Sequence, residues 1–219
     1  MKIGVLGTGM VGQQLARKLV GLGHEVMMGA RSRENEKAAA FVSEAGEGAS
    51  AGTFEDAVRH ADQLILNCTA GAHAVAAVEA GGADHYEGKI LIDVSNPLDF
   101  SNGFPPSLSV MNDDSLAEQL QRAVPAAKVV KALNTVANEV MVDPGKLADG
   151  EHDLFVCGDD DDAKGVVVRF LKEQFGWKHV HDLGALSHAR GTEAWLLLWT
   201  RMYAAFGTGE FNIHVVKNG

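Results

Sequence analysis

A chain of 219 residues, 46% apolar and 22% charged, has enough apolar material for a buried core and too balanced a composition for a disordered polymer. Its formal charge of −10, with no basic stripe to offset it, argues against nucleic acid as a partner. The chain enters a core strand at once, and its most apolar run, Ala194 to Trp199, is far too short to span a bilayer, so the expectation is a cytoplasmic protein without membrane contact.

Ile3-Gly4-Val5-Leu6 predicts a buried strand, and Gln13 to Leu22 predicts a helix. Between them stands Gly7-Thr8-Gly9-Met10-Val11-Gly12. Three glycines at this spacing between strand and helix suit a dinucleotide. Gly7 makes the tight turn, Gly9 admits a pyrophosphate against the backbone, and Gly12 lets helix and strand pack closely. The helix N-terminus then turns its free amides toward the phosphates.

His24 to Gly29 predicts the second strand, which runs into Ala30-Arg31-Ser32-Arg33. A site for NAD usually places an acid here to accept from the ribose 2′-hydroxyl. No acid occurs between Val26 and Arg33. Two guanidiniums and a hydroxyl instead suit a 2′-phosphate, so the expected cofactor is NADP, held by Arg31 with Ser32 and Arg33 assisting.

Strands and helices then alternate. Glu34 to Ala45 predicts a helix, Gly46 to Gly52 a small-residue connection around a short strand, and Phe54 to His60 another helix. Gln63 to Asn67 and Lys89 to Val94 read as strands flanking a helix over Ala72 to Ala80. Ser95 to Met111 reads as loop, and Asp113 or Asp114 as the cap of a helix over Ser115 to Ala123, followed by a strand at Lys128 to Lys131. Such alternation predicts right-handed βαβ units on a doubly wound parallel sheet of Rossmann type. The last third offers strands at Leu154 to Gly158 and Trp177 to Asp182, with helices over Ala163 to Phe175 and Ser187 to Phe206. The expected organisation is a nucleotide-binding domain over 1–134 and a small α/β extension over 135–219 that completes an acceptor pocket and a homodimer seam. From Ala194 to Phe206 the last helix is apolar on nearly every side, which requires cover on more than one face.

Ligands of such sheets lie beyond the carboxyl ends of the strands. The exits there are Cys68-Thr69-Ala70, Ser95-Asn96-Pro97 and Asn134-Thr135, built of small residues and amides. They suit a flat ring slid over a backbone. No acid–base set with usable spacing emerges, so no catalytic side chain is expected; hydride exchange between two ring cofactors asks mainly for positioning. His73 reads as incidental, His179 and His181 lack partners for a metal, and Asp159 to Asp162 read as a helix cap. Cys68 and Cys157 read as buried, reduced thiols.

Gly7 to Gly12, Gly29-Ala30-Arg31-Ser32, Val156-Cys157-Gly158-Asp159-Asp160, Asp182 to Ser187 and Phe206 to Phe211 together resemble the NADP-dependent oxidoreductases of the deazaflavin coenzyme F-420. Ser95-Asn96-Pro97 and Lys131-Ala132-Leu133-Asn134 are also similar to the nucleotide domain of the STEAP metalloreductases. The resemblance implies hydride exchange between NADPH and a deazaflavin or flavin-like acceptor lying on the nicotinamide, in a homodimer closed by the C-terminal part. Rival readings are a non-catalytic NADP(H) sensor and a reductase of a small imine or hydroxyacid.

Overall fold

The computed structural model describes residues 1–218; Gly219, the last residue of the expected extension, lies outside the described residues. In chain order the first strands are β1 Lys2–Leu6, β2 Glu25–Ala30, β3 Ala49–Thr53, β4 Leu64–Asn67 and β5 Ile90–Asp93. A two-stranded pair follows, β6 Leu98–Asp99 with β7 Ser107–Leu108, and then β8 Lys128–Ala132. Six of these strands are parallel in the order β3-β2-β1-β4-β5-β8, the Rossmann arrangement the alternating sequence predicts. Two more, β9 Asp153–Gly158 and β10 His179–Asp182, carry the sheet on past β8 without a break.

β9 is antiparallel to β8, and β10 is parallel to β9, so this last pair runs against the other six. Its direction follows from the connection. The chain between β8 and β9 holds a short helix, α6 Asn138–Val142, whose Val140, Met141 and Val142 pack into the core on one face rather than crossing to the far end of the sheet. The chain therefore re-enters the sheet at the end it had just left.

Two helical layers cover the sheet. α1 Met10–Gly21, α2 Glu36–Ala45, α6 and α7 Asp161–Phe170 lie on one face. α3 Phe54–His60, α4 Gly71–Glu79, α5 Leu116–Ala123 and the first turn of α8 Ala189–Phe206 lie on the other. Strand side chains divide with period two: Ile90 and Ile92 face the first layer and Leu91 the second, and Val130 and Val129 divide likewise. Cys68 and Cys157 are buried free thiols, as expected.

Three local expectations are corrected. The stretch Ser95 to Met111 is not all loop, since β6 and β7 pair within it. The cap of α5 is Ser115, whose Oγ accepts from the Glu118 amide at 3.2 Å, while Asp114 instead pairs with Arg122. The strand expected from Trp177 begins at His179; Trp177 is buried in the core below it and donates through Nε1 to the Met141 carbonyl at 3.1 Å.

Candidate functional site

The glycine loop joins β1 to α1 at the carboxyl end of the parallel strands. Gly7 sits at φ 112, and a Cβ there would lie 3.0 Å from the Cys68 backbone, so turn and close approach both require glycine. A Cβ on Gly12 would lie 2.2 Å from the Gly7 carbonyl oxygen, which makes this contact the close packing of helix on loop. Gly9 differs from both. A Cβ there meets nothing within 4 Å, so the space above the loop is open, as a phosphate cradle must be.

Helix ends reinforce the contrast. α2, α3, α5 and α7 are each capped by a side chain, from Asn35, Thr53, Ser115 and Asp160, and each carries an acid in its first turn. α1 and α4 have neither a side-chain cap nor an acid there. Apart from the His73 amide, which donates to the Ala70 carbonyl at 2.8 Å, their first-turn amides are left for water or for an anion. Thr8 is half-buried and its carbonyl accepts from the Gln13 side chain; Met10 is exposed on the first turn, with Val11 half-buried beside it.

Beyond Ala30, the end of β2, the three residues expected at a 2′-phosphate are all exposed. Their surroundings differ. Ser32 Oγ donates to Glu34 at 2.5 Å, and Arg33 pairs with Asp56 at 2.7 Å. Arg31 has no carboxylate partner among the described residues. Glu34 is the acid a search ending at Arg33 stops short of. A 2′-phosphate would find Arg31 free, and would have to draw Ser32 and Arg33 from their present partners.

At the next exits, Cys68 is buried, its backbone against Gly7, and burial pushes its thiol well above the usual range, which keeps it protonated. Thr69 donates to Asn67 at 2.7 Å, and Ala70 leads into α4. A Cβ on Gly71 would lie 2.1 Å from the Asn96 carbonyl oxygen, so α4 starts hard against the exit of β5. Asn96 and Asn134 bind each other reciprocally: Asn96 Nδ2 donates to the Asn134 carbonyl and Asn134 Nδ2 to Asn96 Oδ1, both at 2.9 Å. Asn134 also donates to the Thr192 carbonyl of α8 at 3.0 Å. Leu133, just before it, is held at φ 64, a left-handed conformation that costs a side-chain-bearing residue about 1–3 kcal/mol and persists only where surroundings fix it. Asn134 Oδ1 and Thr135 Oγ1 are buried with no hydrogen-bond partner among the described residues. The structure thus brings Asn96, Asn134 and Thr135 into one cluster, while Arg31, Ser32 and Arg33 form a separate patch beyond β2.

Sequence reasoning passed over what lies beneath. Lys131 Nζ, fully buried, donates to Asp93 at 2.7 Å, to Glu193 of α8 at 2.7 Å and to the Ser95 carbonyl at 2.6 Å. Glu193 also accepts the Leu116 and Ala117 amides at the start of α5, and Asp93 accepts from Asn67 and Ser95. Burial alone would lower the Lys131 ammonium, but the two carboxylates outweigh it and hold it above the usual lysine range. A raised lysine contributes its stability below the ordinary value and loses it only as pH rises through the folded one, so the set holds through neutral pH. The signal was a charged residue closing each of two apolar runs, Asp93 after Ile90-Leu91-Ile92 and Lys131 after Val129-Val130.

A cavity of about 250 Å³ opens beside the Asn96, Asn134 and Thr135 cluster, between Thr135, Phe155, Leu183, Thr192, Trp195 and Ile213. Its wall is mostly apolar, and His188 stands among its lining residues. Nothing in the local sequence marked it, because its walls come from four separate segments. His73 is exposed; among the described residues no group of His, Cys, Asp and Glu could hold a metal ion, and no helix is long and apolar enough to cross a membrane. Asp160 caps α7 through the Ala163 amide at 2.8 Å, the role expected of that acidic run.

Comparison with known proteins adds to this geometry. A family model described as NADP oxidoreductase, coenzyme F420-dependent, matches residues 2–97. An F420-dependent NADP reductase of Methanocaldococcus jannaschii is 30% identical over 203 residues, which covers 89% of this chain and 88% of that one. Metalloreductase STEAP3 of Rattus norvegicus is 31% identical over 193 residues, 88% of this chain, and the chain spans only 36% of that protein's length. A crystal structure from Arthrobacter sp. FB24, described as a candidate F420-dependent NADP-reductase, superposes with a TM-score of 0.92 at 44% identity, covering 99% of this chain and all of that one.

Proposed function

This chain belongs to the coenzyme F420-dependent NADP oxidoreductase family, and we propose that it exchanges a hydride between NADP(H) and coenzyme F-420 or a flavin-like acceptor. The observation that carries the reading is Arg31, a guanidinium without a carboxylate partner among the described residues, on the same rim as the open space over Gly9. In this reading the uncapped α1 and the loop Gly7 to Gly12 hold the pyrophosphate, and Arg31 takes the 2′-phosphate with Ser32 and Arg33 beside it. The backbone at Cys68, Thr69 and Ala70 flanks the nicotinamide end, which Asn96, Asn134 and Thr135 orient. NADPH supplies the hydride from its nicotinamide ring. The apolar pocket at Trp195 excludes water and accepts a flat ring, and no side chain need move a proton for positioning alone to act.

Purified protein given NADPH and coenzyme F-420 should consume the two in equal amounts. Binding of NADPH without its oxidation would make the chain a nucleotide sensor instead. Arg31→Ala should weaken NADPH binding by about 1.5–3 kcal/mol, roughly ten- to over a hundredfold, and leave NADH nearly unchanged. Equal losses for both nucleotides would sink the phosphate assignment. His188 at the pocket favours one rival, reduction of a small imine or keto acid with the imidazole as proton donor. Turnover of such acceptors in place of the deazaflavin would establish it.

The outer face of α8 is uncovered within the chain: Leu198 is 52% exposed, Tyr203 43% and Phe206 58%, with Phe104 against Tyr203. We assign this face to a homodimer seam. Sedimentation at micromolar concentration should give twice the chain mass; a monomer near 23.2 kDa contradicts it.

A further inference from the structure

The segment after α8 folds back over the apolar pocket and is fastened at one carboxylate. Gly207 ends α8 at φ 69 and reverses the chain, and Phe211 then stacks on Trp199 with ring centroids 5.3 Å apart. Ile213 follows as one wall of the pocket, opposite Thr135 and Trp195. Because β9 runs against β8, its first residue, Asp153, lies at the crevice end of the sheet. The Asp153 amide donates to the Ile213 carbonyl at 3.0 Å, and its own carbonyl accepts from Asn212 at 2.8 Å. Its carboxylate, only 2% exposed, accepts the Val215 amide at 2.5 Å and faces two imidazoles, His181 at 2.6 Å and His214 at 3.1 Å.

We propose that Asp153 is a positioning residue that seats this C-terminal strap as the wall of the acceptor pocket. The pocket's role rests on the function proposed above; the seating of the strap does not.

The surrounding charges are compatible. On the lead-in to β9, Glu151 engages Lys178 at 2.6 Å and His179 at 2.9 Å, so neither side chain competes for Asp153. His152 is buried, donates through Nε2 to the Pro144 carbonyl and receives Asn212 at Nδ1, an arrangement that uses the neutral ring. On the strap itself, Glu210 and Lys217 form no ion pair among the described residues. Burial would raise the Asp153 carboxyl, but the Val215 amide, His181 and His214 together hold it below the usual range. The carboxylate's share of the seating is therefore present above the ordinary carboxylate range and lost as pH falls through the depressed value.

The test is amide exchange across 211–216 in the whole protein, corrected for intrinsic rates. Asp153→Asn should lower protection of the Val215 amide roughly tenfold, the scale of one charge-assisted bond. His214→Gln, at an exposed position that should not disturb folding, should lower it less, because the Asp153 carboxylate still accepts that amide. With coenzyme F-420 as acceptor, Asp153→Asn should raise KM for the acceptor several-fold with NADPH affinity unchanged. Protection unaltered in Asp153→Asn overturns the latch, and an unchanged acceptor KM overturns the positioning role. A parent that turns over no acceptor overturns the pocket's proposed function instead, and the exchange measurement still decides the strap.

Discussion

Gly9→Val is expected to fold as well as the parent and to bind no measurable NADPH. The two halves of this result come from different observations. Gly9 has extended backbone, φ −76 and ψ 177, which any residue adopts, and its Cβ would meet nothing within 4 Å. Replacing glycine there even removes some freedom from the unfolded chain. The added isopropyl group instead fills the open space in front of the α1 amides, where a pyrophosphate must come within hydrogen-bond distance. Losing several charge-assisted bonds at about 1.5–3 kcal/mol each amounts to more than a thousandfold in affinity. Gly12→Val supplies the contrast, because its Cβ would stand 2.2 Å from the Gly7 carbonyl oxygen and must disturb the loop itself. A thermal melt with a calorimetric titration of NADPH decides the matter. Parent-like binding by Gly9→Val contradicts the cradle, and a Gly9→Val protein that fails to fold contradicts the open space.

The glycine loop could be read from sequence because all its determinants lie within six residues. The same holds for the strand exits at Cys68, Asn96 and Asn134, which follow apolar runs whose period and length are local properties. Direction is not a local property. Leu154 to Gly158 reads the same whether it runs with or against β8, and a connection long enough for a crossover contains instead a short α6 that stays at one end of the sheet. Partnership is no more local. Arg31, Ser32 and Arg33 look equivalent in sequence, yet Asp56, far along the chain, engages Arg33, while Arg31 has no carboxylate partner among the described residues. The pocket at Trp195 and the strap that walls it join residues from the exit of β8, β9, the exit of β10, α8 and the last stretch of chain, so only the folded sheet brings them together. Where the sequence reading stopped one residue early, as at Glu34 and Ser115, the missing term was a side chain that competes for the same donor.

Lys131→Met is expected to destabilise the protein by about 3–5 kcal/mol, the usual cost of stripping one partner from a buried ion pair. Methionine matches the lysine stem in length and keeps the core filled, so the loss reports charge rather than volume. Removing the ammonium leaves Asp93 and Glu193 buried without their shared cation. Asp93 keeps donors from Asn67 and Ser95, and Glu193 keeps two α5 amides, which prevents a larger collapse. Against a typical total of about 5–15 kcal/mol this is a large fraction. Glu193→Gln alone should cost less, about 1–3 kcal/mol, because a neutral amide oxygen still accepts from the start of α5. The double variant Lys131→Met/Glu193→Gln should then cost less than the sum of the two, since the second change removes a charge that the first leaves stranded. Functional consequences should follow from the same contacts. Lys131 holds the Ser95 carbonyl, next to the Asn96–Asn134 pair, and Glu193 follows Thr192, the residue of α8 to which Asn134 donates. Urea unfolding of the three variants measures the cycle. A loss below about 1 kcal/mol for Lys131→Met, or strict additivity in the double variant, would show that the buried charges do not act as one unit joining α8 to the strand exits.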